Sequence, residues 1–232
     1  MIAGSPTSPA QVRAYFERSA EDFDQLYSEQ RQSALMRWVN RRFRSDIAER
    51  FLCTVDCAAD IQAKSVLDVG CGSGRYLAAL AEMGIGRLVG IDLSVAMLHL
   101  ARTMTHPFAE SKIDLVLADF DNWETDETFD LVVAMGLFDY IADPLRTLKK
   151  MRAHAGICVV ASFPSRHWFR TPLRKVRYRI KECPVYFYDE PSIRALSEQA
   201  GFGRAEIRKL PGAGMDYVAH LYTGTTTSVP RA

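Results

Sequence analysis

Hydrophobic and polar positions change their period near residue 65. Before that point the apolar residues recur at helical spacing. In "AQVRAYFERSAEDFDQLY", residues 10–27, the positions of Val12, Tyr15, Phe16, Phe23, Leu26 and Tyr27 predict a helix, a break near Asp22 and a second short helix. In "SALMRWVNRRFRSDIAERFL", Leu35, Trp38, Val39, Phe43, Ile47 and Phe51 share one recurring face. These segments have no strand of their own to cover, so residues 1–60 are expected to form a helical cap or lid.

From Ser65 onward, short apolar runs alternate with helical patterns. "SVLDVG", "RLVGID", "IDLVLAD", "FDLVVAM" and "GICVVASF" predict five strands. "RYLAALAEM", "SVAMLHLARTM" and "PLRTLKKMRAH" predict the helices between them, with Gly84 ending the first and Pro144 opening the third. "SIRALSEQAGF" then predicts a helix capped by Gly201, and "RAEIRKL" and "MDYVAHLYT" predict a hairpin at the sheet edge. Continuous apolar strands separated by helices of this length need cover on both faces. The expected fold is therefore α/β: a doubly wound, seven-stranded, mostly parallel sheet over residues 61–224, preceded by the cap. The polar residues 225–232 are expected to be a flexible tail.

Composition changes this picture little. The 232 residues carry a formal net charge of +1, which argues neither for nor against a polyanionic partner. Five cysteines show no metal-ligand spacing, so no metal is expected and a reducing, cytoplasmic setting is the simplest reading. The N-terminus lacks the basic start and apolar core of a secretion signal, and no apolar stretch approaches the length of a membrane span.

Chemistry enters at "DVGCGSGRY", residues 68–76. Gly70, Gly72 and Gly74 let a strand turn sharply into a helix and bring the backbone close to a ligand. Asp92 ends the next strand, 22 residues after Gly70, where an acidic side chain commonly takes ribose hydroxyls. A dinucleotide fingerprint would read GxGxxG, but Arg75 stands at its last glycine position. Asp68, two residues before Gly70, would oppose a pyrophosphate and suit a cationic amine. The turn fits a ligand with a nucleoside at one end and a positive charge at the other.

Four stretches together resemble the class I S-adenosylmethionine-dependent methyltransferases of the small-molecule type. "VLDVGCGSG" is similar to the first motif of that family, "VGIDLS" to the second, "LADFDNW" to the third and "FDLVVAMGLFDYI" to the fourth. The resemblance implies S-adenosylmethionine as methyl donor and S-adenosylhomocysteine as product. It implies that Asp68 lies near the methionine ammonium, with Gly70, Gly72 and Gly74 along the sugar and amino-acid portion. It further implies Asp92 on both ribose hydroxyls, Leu93 bordering the adenine, Asp119 accepting from the adenine amino group and Phe120 beside the ring. Met135 and Gly136 would edge the methionine portion. The N-terminal "VRAYFERSAEDFDQLY" resembles a helix that closes over the donor in such enzymes. Its Tyr15 and Tyr27 would contact donor or acceptor, or pack cap against core. A looser likeness, to magnesium-protoporphyrin methyltransferases, rests on the spacing of "VRAYFERSA", the first motif and "SIRALSEQAGF".

The acceptor is less legible. Methyl transfer needs in-line approach, exclusion of water and, for a hydroxyl or acidic carbon, a base. The Asn/Asp-Pro-Pro-aromatic series of many nucleic-acid amine methyltransferases is replaced here by "AMGLFDY". In many small-molecule relatives a His or Glu stands near Asp139, which here is a candidate substrate contact or base against the alternative of capping the next helix or holding the loop, with Tyr140 beside it as an acceptor contact. After the fifth strand, "SRHWFRTPLRKVRYRIK" supplies seven cations without a carboxylate. His167 is the candidate general base. Arg170, Arg174 and Tyr178 are candidates for gripping a flat organic acid, against the alternative of a solvated helix face. The expected partner is a small anionic or aromatic molecule rather than nucleic acid; the alternatives are an RNA methyltransferase and a non-catalytic cofactor-binding or partner-binding protein of the same fold. Neither a monomer nor a homodimer is singled out.

Overall fold

Residues that alternate between two apolar faces build the centre of the molecule. The computed structural model describes residues 10, 12–14, 17, 48–108, 110–165, 186–210 and 216–225. Seven strands form one sheet: β1 (Ser65–Val69), β2 (Arg87–Asp92), β3 (Lys112–Leu117), β4 (Phe129–Ala134), β5 (Ala155–Phe163), β6 (Arg204–Lys209) and β7 (Tyr217–Tyr222). Their order across the sheet is β3-β2-β1-β4-β5-β7-β6. The first five are parallel to their neighbours, while β7 runs antiparallel to both β5 and β6. The expected hairpin is present, and its second strand inserts between β5 and β6.

Alternation along each strand sorts the core into two layers. Leu67, Val69, Val89, Ile91, Val132 and Ala134 point to one face; Val66, Leu88, Leu131 and Val133 point to the other. Helical residues 48–60 (α1), α2 (Arg75–Glu82) and α3 (Val95–Thr105) cover the second face through Cys53, Cys57, Leu77, Leu80 and Leu98. The first face is covered by α4 (Pro144–His154) and α5 (Glu190–Gln199), through Leu148, Met151 and Ile193. Each such buried side chain contributes about 1.5–3 kcal/mol from removal of apolar area, which is why the strands read as near-continuous apolar runs.

Local signals stop and start the helices where the sequence places them. Ser94 Oγ accepts from Met97 N at the start of α3, and Asp143 accepts from Arg146 N just before Pro144. Asp189 and Ser192 form a reciprocal capping box on α5. The chain runs outward from β1 to β3, then returns to β4 on the other side of β1. That reversal opens a crevice at the carboxyl ends of β1 and β4, the usual ligand position in open parallel sheets. No helix among the described residues is long and apolar enough to cross a membrane.

Candidate active site

The glycine turn is pinned to its neighbour by backbone and side chain alike. Gly70 N and Cys71 N both donate to Ile91 O, at 2.8 and 3.0 Å. Gly72 N donates to Asp92 Oδ2 at 2.9 Å, and Ser94 N donates to Asp92 Oδ1 at 2.8 Å. One carboxylate therefore braces the turn after β1 and the turn after β2. Burial raises the Asp92 carboxyl above its ordinary range, against the opposing hydrogen bonds from the amides of Ser94, Gly72 and Leu93. About four lone-pair positions on a carboxylate leave it capacity for further donors.

Asp68 lies at the end of β1, only 1% exposed, and its Oδ2 has no hydrogen-bond partner among the described residues. Burial, and secondarily the Asp92 charge, pushes its carboxyl up to about 8. A buried acceptor without a donor is costly unless a ligand supplies one. A cationic amine meets that need twice, with N–H donors and with opposite charge. At Gly72, where a Cβ would meet nothing within 4 Å, the turn is open beside it. Asp68, Gly70, Gly72, Gly74, Asp92 and Leu93 are thus brought together, and they fit a nucleoside that carries an ammonium.

Asp119 follows β3 and is half-buried. Its oxygens accept from Asp121 N (3.1 Å) and Asn122 Nδ2 (2.8 Å), which fixes the carboxylate at the head of a short 3-10 turn. Phe120, expected beside an adenine ring, is 7% exposed and packs against Trp123 (6.5 Å between centroids) and His154 (6.4 Å), with Lys150 Nζ 5.5 Å from its centroid.

On the other side of the crevice, Met135 and Gly136 follow β4 and are half-buried. Gly136 N donates to Ser162 Oγ at 2.7 Å. Asp139 and Tyr140 are buried, at 7% and 9% exposure. The Asp139 carbonyl accepts from Tyr186 N (3.0 Å), and Pro164 O accepts from Tyr188 N (2.8 Å), so residues 186–188 are laid between the loops after β4 and β5. Tyr188 stands edge-on to the stacked Phe138–Phe163 pair. Its phenol is pushed up by burial first and by the Asp139 carboxylate second, so it stays protonated at neutral pH. Tyr15, Tyr27, His167, Arg170, Arg174 and Tyr178 lie outside the described residues.

Sequence reasoning missed Arg50. Its guanidinium Nη1 is 3.8 Å from where a Cβ on Gly136 would stand, and Nη2 pairs with the carboxylate of Asp216. In the sequence it is one arginine among several on a cap helix. Its partner is 166 residues away, and only the charged Asp216 at the head of an apolar strand hinted at an ion pair.

The family described as "Methyltransferase domain" matches residues 66–155, from the second residue of β1 to the first of β5. Residues 66–155 are a methyltransferase domain. A tRNA U34 carboxymethyltransferase of Campylobacter hominis is 32% identical to it over 95 residues, 40% of this chain and 33% of that protein. A ubiquinone biosynthesis O-methyltransferase of Hydrogenovibrio crunogenus is 35% identical over 86 residues, 36% of this chain and 35% of that protein. The chain thus spans about a third of the length of these two relatives. The magnesium protoporphyrin IX methyltransferase of Synechocystis PCC 6803, solved with bound S-adenosylhomocysteine, superposes with a TM-score of 0.74 at 18% identity. That superposition covers 92% of this chain and 98% of the other, a likeness of fold.

Proposed function

We propose that this methyltransferase moves a methyl group from S-adenosylmethionine to oxygen, nitrogen or carbon of a small organic acceptor that is anionic or aromatic. The observation that carries the reading is the buried, partnerless Asp68 Oδ2 beside an Asp92 braced by both turns. When bound, the sulfonium donor supplies an electrophilic methyl group and departs as a neutral thioether. Asp68 holds the ammonium of the donor and Asp92 its ribose hydroxyls. Leu93 borders the adenine, with Asp119 turned to the adenine amino group. Met135 and Gly136 edge the methionine portion. Arg50, beside Gly136, is placed to pair with the methionine carboxylate while Asp216 holds the other end of its fork.

The acceptor side begins at Asp139 and Tyr140. Asp139 serves as a base for a hydroxyl or acidic carbon, and His167 is the alternative base on the basic stretch. Arg170, Arg174 and Tyr178 grip the acid or ring. Residues 1–60, including Tyr15 and Tyr27, cover the donor from water, and residues 165–188 form the acceptor side. The buried free thiols at 53, 57, 71 and 158 fit a reducing cytoplasm.

Calorimetric titration of the folded protein with S-adenosylmethionine, S-adenosylhomocysteine and NAD tests the reading. Binding of the first two, and not of NAD, is the expected result. Lack of binding to both sulfur compounds would remove the donor assignment. A cell extract incubated with labelled methyl donor then separates small acceptors from RNA. RNA is the second reading, favoured by similarity to a protein named for tRNA U34. Label recovered in tRNA would replace the small-molecule acceptor.

A further inference from the structure

The turn that carries Asp92 is also held from a distance. Asp92 Oδ1 accepts from Ser94 N at 2.8 Å, and Ser94 Oγ accepts from Met97 N at 3.2 Å. Between them, the Val95 N–H donates to Glu17 Oε1 at 2.7 Å. The first two contacts are local. The third comes from 78 residues upstream, from a helical residue near the N-terminus.

Val95 is the first residue of α3, and its amide is one of those a helix leaves without an internal partner. A carboxylate is favoured at that end by the hydrogen bond and by the helix dipole together. The Val95 amide, rather than its 50% exposed side chain, makes the contact with Glu17. The contact is a polar tether. The Glu17 charge is also felt at Asp92, where it helps keep that carboxyl above its ordinary range.

We propose that Glu17 is a positioning residue, a latch that fastens the N-terminal helix to the turn between β2 and α3 and thereby slows escape of the donor. The proposal rests on the reading that Asp92 holds the donor ribose. Because one turn carries Asp92, Leu93 and the Val95 amide, releasing the latch frees the helix and loosens the ribose seat together. The latch touches no reacting atom. Its loss therefore acts on donor residence and leaves methyl transfer from a fully bound complex unchanged.

Wild type, Glu17→Ala and Glu17→Gln are compared, each checked for a native far-ultraviolet spectrum. Hydrogen exchange of the ligand-free proteins reads the tether itself. Exchange over residues 93–97 is expected to be faster in Glu17→Ala, with Glu17→Gln between, since the amide oxygen still accepts but carries no charge. Stopped-flow dissociation of S-adenosylhomocysteine is expected to be about five-fold faster in Glu17→Ala, the size of a lost helix cap. The single-turnover rate at saturating donor is expected to match wild type. Unchanged exchange and unchanged dissociation in a folded Glu17→Ala would overturn the latch, as would a slowed single turnover with unchanged dissociation. If wild type binds no S-adenosylhomocysteine, the donor reading fails instead, and the exchange comparison alone judges the tether.

Discussion

The Arg50 guanidinium pairs with the Asp216 carboxylate, joining α1 to the head of β7 across 166 residues. Asp216 Oδ1 also accepts from Ser165 N at 3.2 Å, so one buried carboxylate ties together the end of β5, the start of β7 and the cap-side helix. Gly136 at the end of β4 lies beside the same guanidinium. The chain after β4 and after β5 meets the head of β7 around this pair. The two side chains are unequally buried, at 15% and 1% exposure. Arg50→Met takes the guanidinium away from a fully buried carboxylate, whereas Asp216→Asn leaves an arginine that can reach water. Arg50→Met is therefore expected to cost about 3–5 kcal/mol and Asp216→Asn less, measured by urea unfolding at pH 7.

Asp68 trades stability for binding. Its carboxyl is raised to about 8 in the folded protein, against about 4 in an unfolded chain. Between these values the folded state holds a proton that the unfolded state has lost, so stability falls as pH rises through the window. Asp92 is shifted in the same direction and adds to the slope. Asp68→Asn removes the ionisation. It is expected to be more stable than wild type at pH 8, on the order of a few kcal/mol, and similar to it near pH 4. Urea midpoints at the two pH values check this.

The same carboxyl links donor binding to proton release. An ammonium stabilises the ionised form, so binding at pH 6.5 is expected to release protons and binding at pH 9 to release almost none. Calorimetry in buffers of different ionisation enthalpy reads the difference. Asp68→Asn is expected to weaken donor binding about 100-fold, as loss of one member of a buried charge pair does.

Gly72 and Gly74 differ although both have positive φ, 52° and 78°. An added Cβ at Gly74 would stand 2.9 Å from the Cα and Cβ of Ala101, so α2 and α3 would have to part. Gly74→Ala is expected to cost about 2–4 kcal/mol, from backbone strain and overpacking together. At Gly72 only the strain applies, about 1–2 kcal/mol, but the methyl faces the open side of the turn. Gly72→Ala is thus expected to stay folded and lose donor affinity. Thermal melts and donor titration separate the two.

Arg170 and Arg174 lie outside the described residues, and their role stands on the basic, aromatic composition of 165–188. If that stretch grips an acid, Arg170→Glu and Arg174→Glu are expected to raise acceptor KM with donor affinity unchanged. Unchanged kinetics in both variants would make the stretch a solvated surface.

Much of the fold was readable because the central strands β1, β2, β4 and β5 are buried on both faces and each helix on one. Period and punctuation then carry the information locally: Gly84 and Gly201 end helices, and Ser94, Asp143 and Asp189 begin them. The glycine turn was readable for a related reason. Asp68, the glycines and Asp92 lie within 25 residues on adjacent strands, so one short stretch of chain builds the turn and its brace.

The rest depended on where distant segments meet. Phe120 beside Asp119 reads equally well as a rim residue or a core residue, and α4 decides by offering the ring a buried surface. Arg50 and Glu17 look like ordinary charges on amphipathic helices until Asp216 and the Val95 amide stand opposite them. By itself the sequence determined the strand-helix order, the two-sided burial of the central strands and the glycine turn, because each depends on near neighbours in the chain. Only the tertiary structure decided which charges pair across 78 and 166 residues and which way Phe120 turns, because partner choice depends on close approach in space, and no local spacing encodes it.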